Sequence, residues 1–241
     1  LKDETIEKVR AETEHWGYMD QLPEEWHGFH LDRTVSVGKD TYDLCRYENK
    51  DRHTSVILYF HEETHEYKLR LKIGLIEFCR IEYITAGLES FEHLLRKQLE
   101  FLLMDMETFN PKTLSSIVSD KKITEWALGR ELPEELEGFS LFIRPAQPVK
   151  INNGSYIVVD YVDFSLESSF TLYYNIYRDE FFAEARIWNI PDVNYDFDSN
   201  ELPELEEKLH QRLLPRLQEI RKRAETEAAN KKEAVKGKSE S

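Results

Sequence analysis

The chain has 241 residues, of which 40% are hydrophobic, 12% aromatic and 33% charged, a composition of folded globular proteins that excludes collagen-like and disordered classes. Asp and Glu outnumber Lys and Arg 47 to 32, for a net charge of −15, which repels a phosphate backbone and sets nucleic acid aside as a partner. No run approaches the roughly 18 apolar residues of a membrane span, and two cysteines, Cys45 and Cys79 in apolar runs, exclude a disulfide framework and fit a reducing, cytoplasmic compartment.

In chain order, Ile6, Val9 and Trp16 mark a short helical stripe ahead of Leu22-Pro23-Glu24-Glu25, where proline and acidic residues suit a turn or helix start. Strands are expected near Phe29 to Val35 and Tyr42 to Tyr47. Val56, Leu58 and Phe60 then alternate with Ser55, Ile57 and Tyr59, and Tyr67, Leu69, Leu71 and Ile73 with Lys68, Arg70 and Lys72, the period of half-buried strands joined as a hairpin. Short connections make the four strands an antiparallel meander. Leu88, Phe91, Leu95, Leu99, Leu102 and Met106 recur at helical spacing and close the unit with a long amphipathic helix.

The same pattern then begins again. Trp16, Leu22, Pro23, Glu24, Glu25, Gly28, Phe29 and Leu31 reappear 110 residues later as Trp126, Leu132, Pro133, Glu134, Glu135, Gly138, Phe139 and Leu141. Past an insertion around Ala146 to Asn153 the offset becomes 114, linking Tyr42, Tyr47, Tyr59, Ile73 and Leu95 to Tyr156, Tyr161, Tyr173, Ile187 and Leu209. Such self-similarity identifies a repeated structural unit. The expected fold is α+β, a tandem duplication of a helix–four-stranded antiparallel sheet–helix unit with pseudo-twofold symmetry, with one unit over residues 1–110, a second over 111–224 and a solvated tail over 225–241, the last helix fraying after about Ala228. Asn153-Gly154 suits a hairpin turn. With Ser155 it also matches a glycosylation acceptor, which the turn makes unnecessary.

Motifs of chemistry are sparse. His61-Glu62-Glu63-Thr64-His65 has the HExxH pattern of zinc peptidases, which works when a helix sets two imidazoles on one face. Here it falls in a hairpin connection. Asp196, Asp198 and Asn200 alternate as in a calcium loop, but Glu201 occupies the place of the turn-forming glycine. There is no nucleophile elbow, phosphate loop or dinucleotide fingerprint, and no cofactor is expected. The twice-used Leu-Pro-Glu-Glu segments are read as structural.

The functional hint is an asymmetry between the copies. With Ile157, Val159 and Tyr161 turned to the helix, Tyr156, Val158, Val162 and Phe164 point to the opposite face of the second sheet. Tyr173, Tyr177, Phe182 and Trp188 are placed beside them, where the first copy has Arg46, Lys68, Arg70 and Lys72. Aromatic clusters of this size are seldom left in water. The expected cover is the chain itself, a second subunit or other protein partner, or a ligand. The reading favours a non-catalytic binding or assembly module whose partner face is Tyr156, Val158, Tyr173, Tyr177, Phe182 and Trp188, acting with a protein partner or as a homo-oligomer. The alternative is a metal-dependent hydrolase with ligands around His61 and His65 or Asp196 and Asp198.

Overall fold

The computed structural model describes residues 1–152 and 154–239, with side chains as far as Asn230. The chain is α+β, with two antiparallel sheets of similar size in two compact units, Leu1–Asn110 and Pro111–Ser241. No helix among the described residues is long and apolar enough to cross a membrane.

The first unit opens with α1 (Asp3–Thr13) and α2 (Gly17–Gln21), followed by β1 (Glu25–Trp26), β2 (Phe29–Asp32), β3 (Ser36–Val37), β4 (Thr41–Asn49), β5 (Thr54–His61), β6 (Glu66–Ile73) and β7 (Ile76–Cys79), and closes with α3 (Leu88–Glu107). The strand order is β1-β2-β4-β5-β6-β7, with β3 paired to β4. Phe91, Leu95, Leu99 and Leu103 form the buried stripe of α3, spaced so that each turn returns an apolar side chain to the same face.

The second unit repeats the plan. α4 (Ser116–Asp120) and α5 (Ala127–Glu131) precede β8 (Glu135–Leu136), β9 (Phe139–Ile143), β10 (Val149–Lys150), β11 (Ser155–Asp163), β12 (Ser168–Asn175), β13 (Glu180–Ile187) and β14 (Ile190–Val193), and α6 (Leu202–Ser239) follows. The order is β8-β9-β11-β12-β13-β14, with β10 on β11. Leu205, Leu209, Leu213, Leu217, Ile220 and Ala224 of α6 pack on Phe170, Leu172, Tyr174, Phe181, Ala183 and Ala185 of the sheet.

Each sheet thus has seven strands instead of the expected four. The additions are short, and the turn residues explain most of them. Trp26 pairs with Phe29, and Leu136 with Phe139, across two-residue turns whose central residues, His27-Gly28 and Glu137-Gly138, all have positive φ. Two left-handed residues give a turn whose twist matches the paired strands. The Leu-Pro-Glu-Glu segments therefore lead into strands, and the short helices end before them. They are anchored identically: the Tyr47 hydroxyl donates to the Pro23 carbonyl and the Tyr161 hydroxyl to the Pro133 carbonyl, each at 2.8 Å.

Two further departures matter for the site. A bulge interrupts β4 between Asp43 and Cys45, and another β11 between Ile157 and Val159. An extra residue reverses the inward and outward alternation beyond it. At the other end, α6 runs to Ser239, past the expected fraying near Ala228 and through the expected tail. Its Ala, Glu and Lys residues favour helix. Gly154 has φ +83°, as a tight turn requires; its predicted partner Asn153 lies outside the described residues.

Candidate functional site

Strand register sorts the side chains on the face of the second sheet turned away from α6. One cross-strand row is Ile157, Tyr173 and Phe182; the next is Ile143, Asp160, Thr171, Glu184 and Val193; a third is Ser140, Val162, Ser169, Arg186 and Pro191. The Tyr173 and Phe182 rings stack with centroids 5.0 Å apart and planes 16° from parallel. Ile157, Asp160, Val162, Ser169, Thr171 and Tyr173 are all buried.

Asp160 stands at the centre of this face and is wholly buried. Thr171 Oγ1 donates to its Oδ1 at 2.7 Å, while Oδ2 has no hydrogen-bond partner; nor do the buried Ser169 Oγ and Arg186 Nε. Burial pushes the Asp160 carboxyl up to about 7, against the opposing pull of the Thr171 hydrogen bond and the Arg186 charge. Burial also raises the Tyr173 hydroxyl, and the charges of Glu184 and Asp160 add to the effect. An uncompensated buried carboxylate is costly, so the neutral acid is favoured.

Of the six predicted face residues, two meet there: Tyr173 and Phe182. The β11 bulge turns Tyr156 and Val158 into the core beneath α6, where the Tyr156 hydroxyl accepts the Ser115 backbone N–H at 3.2 Å. Trp188 occupies the β13–β14 turn with φ +51°, and its indole N–H donates to the Ala224 carbonyl of α6 at 2.8 Å. Tyr177 lies in the exposed β12–β13 turn, its ring so close to Gly154 that a Cβ there would fall 2.5 Å from it. Sequence reasoning missed Ile157, which it turned to the helix, and Asp160. The available signal was a lone carboxylate within the apolar run Tyr156 to Val162, because an unpaired acid is seldom fully buried.

The first sheet has a different surface at equivalent positions. Arg46 stands where the second has Asp160, Lys68 where it has Phe182 and Arg70 where it has Glu184. Arg70 lies over the Tyr59 ring, 5.1 Å from its centroid, and reaches Asp43 Oδ2 at 3.3 Å.

The two units also treat their last strands differently. In β7, Ile76 is 4% and Phe78 8% exposed; in β14, Ile190 is 64% and Val193 58% exposed. Pro191 and Asp192 replace Glu77 and Phe78, and Asp192 is held by Arg216 and Arg223 of α6, each at 2.7 Å. Past Val193 the chain carries the exposed Tyr195 before rejoining β13 at the Phe181–Ser199 bridge. The second unit therefore leaves an apolar margin along its outermost strand.

The predicted metal positions are engaged otherwise. His61 ends β5 and Glu62 to His65 form the β5–β6 turn, with His65 left-handed, His61 Nδ1 3.2 Å from Thr64 Oγ1 and Glu62 accepting the Lys2 N–H and the Thr5 hydroxyl. Asp196 pairs with Arg212 at 3.0 Å, the Asp198 carbonyl accepts from Lys208, and the Asn200 amide donates to the Asp179 carbonyl at 2.7 Å. Among the described residues no group of three His, Cys, Asp or Glu is placed to hold a metal ion. An open cleft of about 730 Å³ in the first unit, beside Gly28, Asp32, Arg33, Glu48 and Asp51, mixes both charges without a convergent reactive set. The chain matches no protein-family model, no curated protein and no solved structure.

Proposed function

We propose that the chain is a non-catalytic binding or assembly module, made by tandem duplication of one α+β unit, in which the second copy carries the contact surface for a protein partner or a second copy of the chain. The contact surface in this reading is the outer margin of the second sheet, with Val193 on the face of the half-buried Phe182, Tyr195 following it in the chain and Ile190 further along the same strand. Tyr173 lies behind Phe182 as its stacking support. The observation that carries the reading is the contrast between two equivalent edge strands, one with its apolar residues buried and one with them in water. Large apolar side chains grouped on a surface mark contact sites more often than chance, and aromatic residues are enriched in interface cores.

The experiment is multi-angle light scattering across a concentration series, comparing wild type with the triple variant Ile190→Asp, Val193→Asp, Tyr195→Asp. Self-association that the variant abolishes while keeping its circular dichroism supports docking of a second copy. A monomeric wild type moves the test to quantitative cross-linking in cell extract, where partners captured by wild type should be lost with the variant. Unchanged oligomeric state together with an unchanged cross-linking pattern would overturn the proposal.

A further inference from the structure

Asp160 is wholly buried on the second sheet, whether or not anything docks on the sheet margin. Its neighbours on this face from the paired strands include Thr171 and Tyr173 on β12, Glu184 and Arg186 on β13, Ile143 on β9, and Ile157 and Val162 on its own strand. One carboxyl oxygen is served by Thr171; the other has no donor. Arg186 is the one cation among these groups, and its buried Nε makes no hydrogen bond. A carboxylate needs several donors when it is taken out of water, whereas a neutral acid needs fewer.

The geometry points to Asp160 as a proton-operated latch: this sheet face is closed while the acid is neutral and loosens when the acid ionises, releasing Ile157, Tyr173 and their neighbours from burial. The direction follows from linkage. The closed-state carboxyl titrates near 7 against an ordinary value of 3.8, so the closed state binds the proton more tightly than the open one. Its stabilisation is complete below about pH 4, declines as pH rises towards 7, and changes little above that.

Hydrogen exchange of β11, β12 and β13, followed by mass spectrometry from pH 5 to 8, tests this with wild type and Asp160→Asn. The amide keeps an acceptor for Thr171 and removes the ionisation. Taken as a ratio to the variant, which cancels the intrinsic pH dependence of exchange, wild-type opening should rise about fifty-fold between pH 5 and 7 and then level off. Parallel profiles would overturn the latch. If the variant does not fold, carbon-detected NMR titration of the wild-type carboxyls decides the matter: Asp160 titrating near neutrality upholds the latch, and titration below pH 5 sinks it. Arg186→Gln, which removes the cation whose charge opposes the burial effect on Asp160, should move that titration upward.

Discussion

Gly28 and Gly138 offer a paired test of how the two units hold their first hairpins. Both have φ +77°, so alanine at either site costs about 1–2 kcal/mol for a left-handed L-residue. Their surroundings differ. A Cβ at Gly28 would lie 3.3 Å from Asn49 Nδ2 and 3.4 Å from Glu107 Oε2, a tight but adjustable fit. At Gly138 it would fall on Arg221 Nη2 and 2.8 Å from Cζ, and the guanidinium would have to leave. That guanidinium lies over the Phe139 ring, with Cζ 5.2 Å from its centroid, donates to the Glu137 carbonyl and holds Asp163 Oδ2 at 2.7 Å. Charge-assisted hydrogen bonds of this kind are worth about 1.5–3 kcal/mol; with Arg221 a quarter exposed, water recovers part of this and about 1–2 kcal/mol of loss remains. Gly28→Ala should therefore cost about 1–2 kcal/mol and Gly138→Ala about 2–4 kcal/mol. Urea denaturation followed by tryptophan fluorescence reads both units, since Trp16 and Trp26 lie in the first and Trp126 and Trp188 in the second. In an Arg221→Ala background the excess at Gly138 should vanish, as a double-mutant cycle requires. Equal costs at the two glycines, or an excess that survives loss of Arg221, would refute the reasoning.

Two further expectations concern charge and thiols. Burial raises the Asp192 carboxyl, but hydrogen bonds from Arg223 and Arg216 outweigh it and leave the group below its ordinary value. Its contribution is therefore present above about pH 4 and lost on acidification through the depressed value, so Asp192→Asn should cost about 1–2 kcal/mol at pH 7 and progressively less as the pH falls below about 4 by urea denaturation, and a cost independent of pH would contradict this. Burial pushes the Cys45 thiol up to about 12, whereas Cys79 is partly exposed. A chromogenic disulfide reagent at pH 8 should titrate one thiol in the folded chain and two after denaturation, and two equally fast folded thiols would contradict the burial of Cys45.

Much of the architecture was legible because it rests on periodicity. Alternation marked β5 and β6, helical spacing marked α3 and α6, and the repeated residues from Trp16 to Leu31 and Trp126 to Leu141 marked where the plan begins again. The site was less legible because each error arose from one backbone conformation that side-chain type does not announce. A single bulged position turned Tyr156 away from the predicted face and Ile157 onto it. Trp188 reads as the end of an alternating strand, yet it takes the left-handed place that Gly74 holds in the first unit. A bulky residue is uncommon there, and its indole bond to α6 offsets the cost.

Comparison of the two units separates what maintains the backbone from what could distinguish one surface from another. The left-handed hairpin turns, the β4 and β11 bulges, the tyrosine bonds to Pro23 and Pro133, and the Trp16–Glu92 and Trp126–Glu206 hydrogen bonds occur in both. None depends on the residues of the sheet face away from the helix. On that face Arg46, Lys68 and Arg70 are answered by Asp160, Phe182 and Glu184, a change of sign or polarity at every one of these positions. A change that leaves every shared folding device in place is permitted by the fold without being required by it. The specific behaviour of the second unit is therefore to be sought in Asp160, the Tyr173–Phe182 stack and the exposed β14 margin, where the same backbone carries different chemistry.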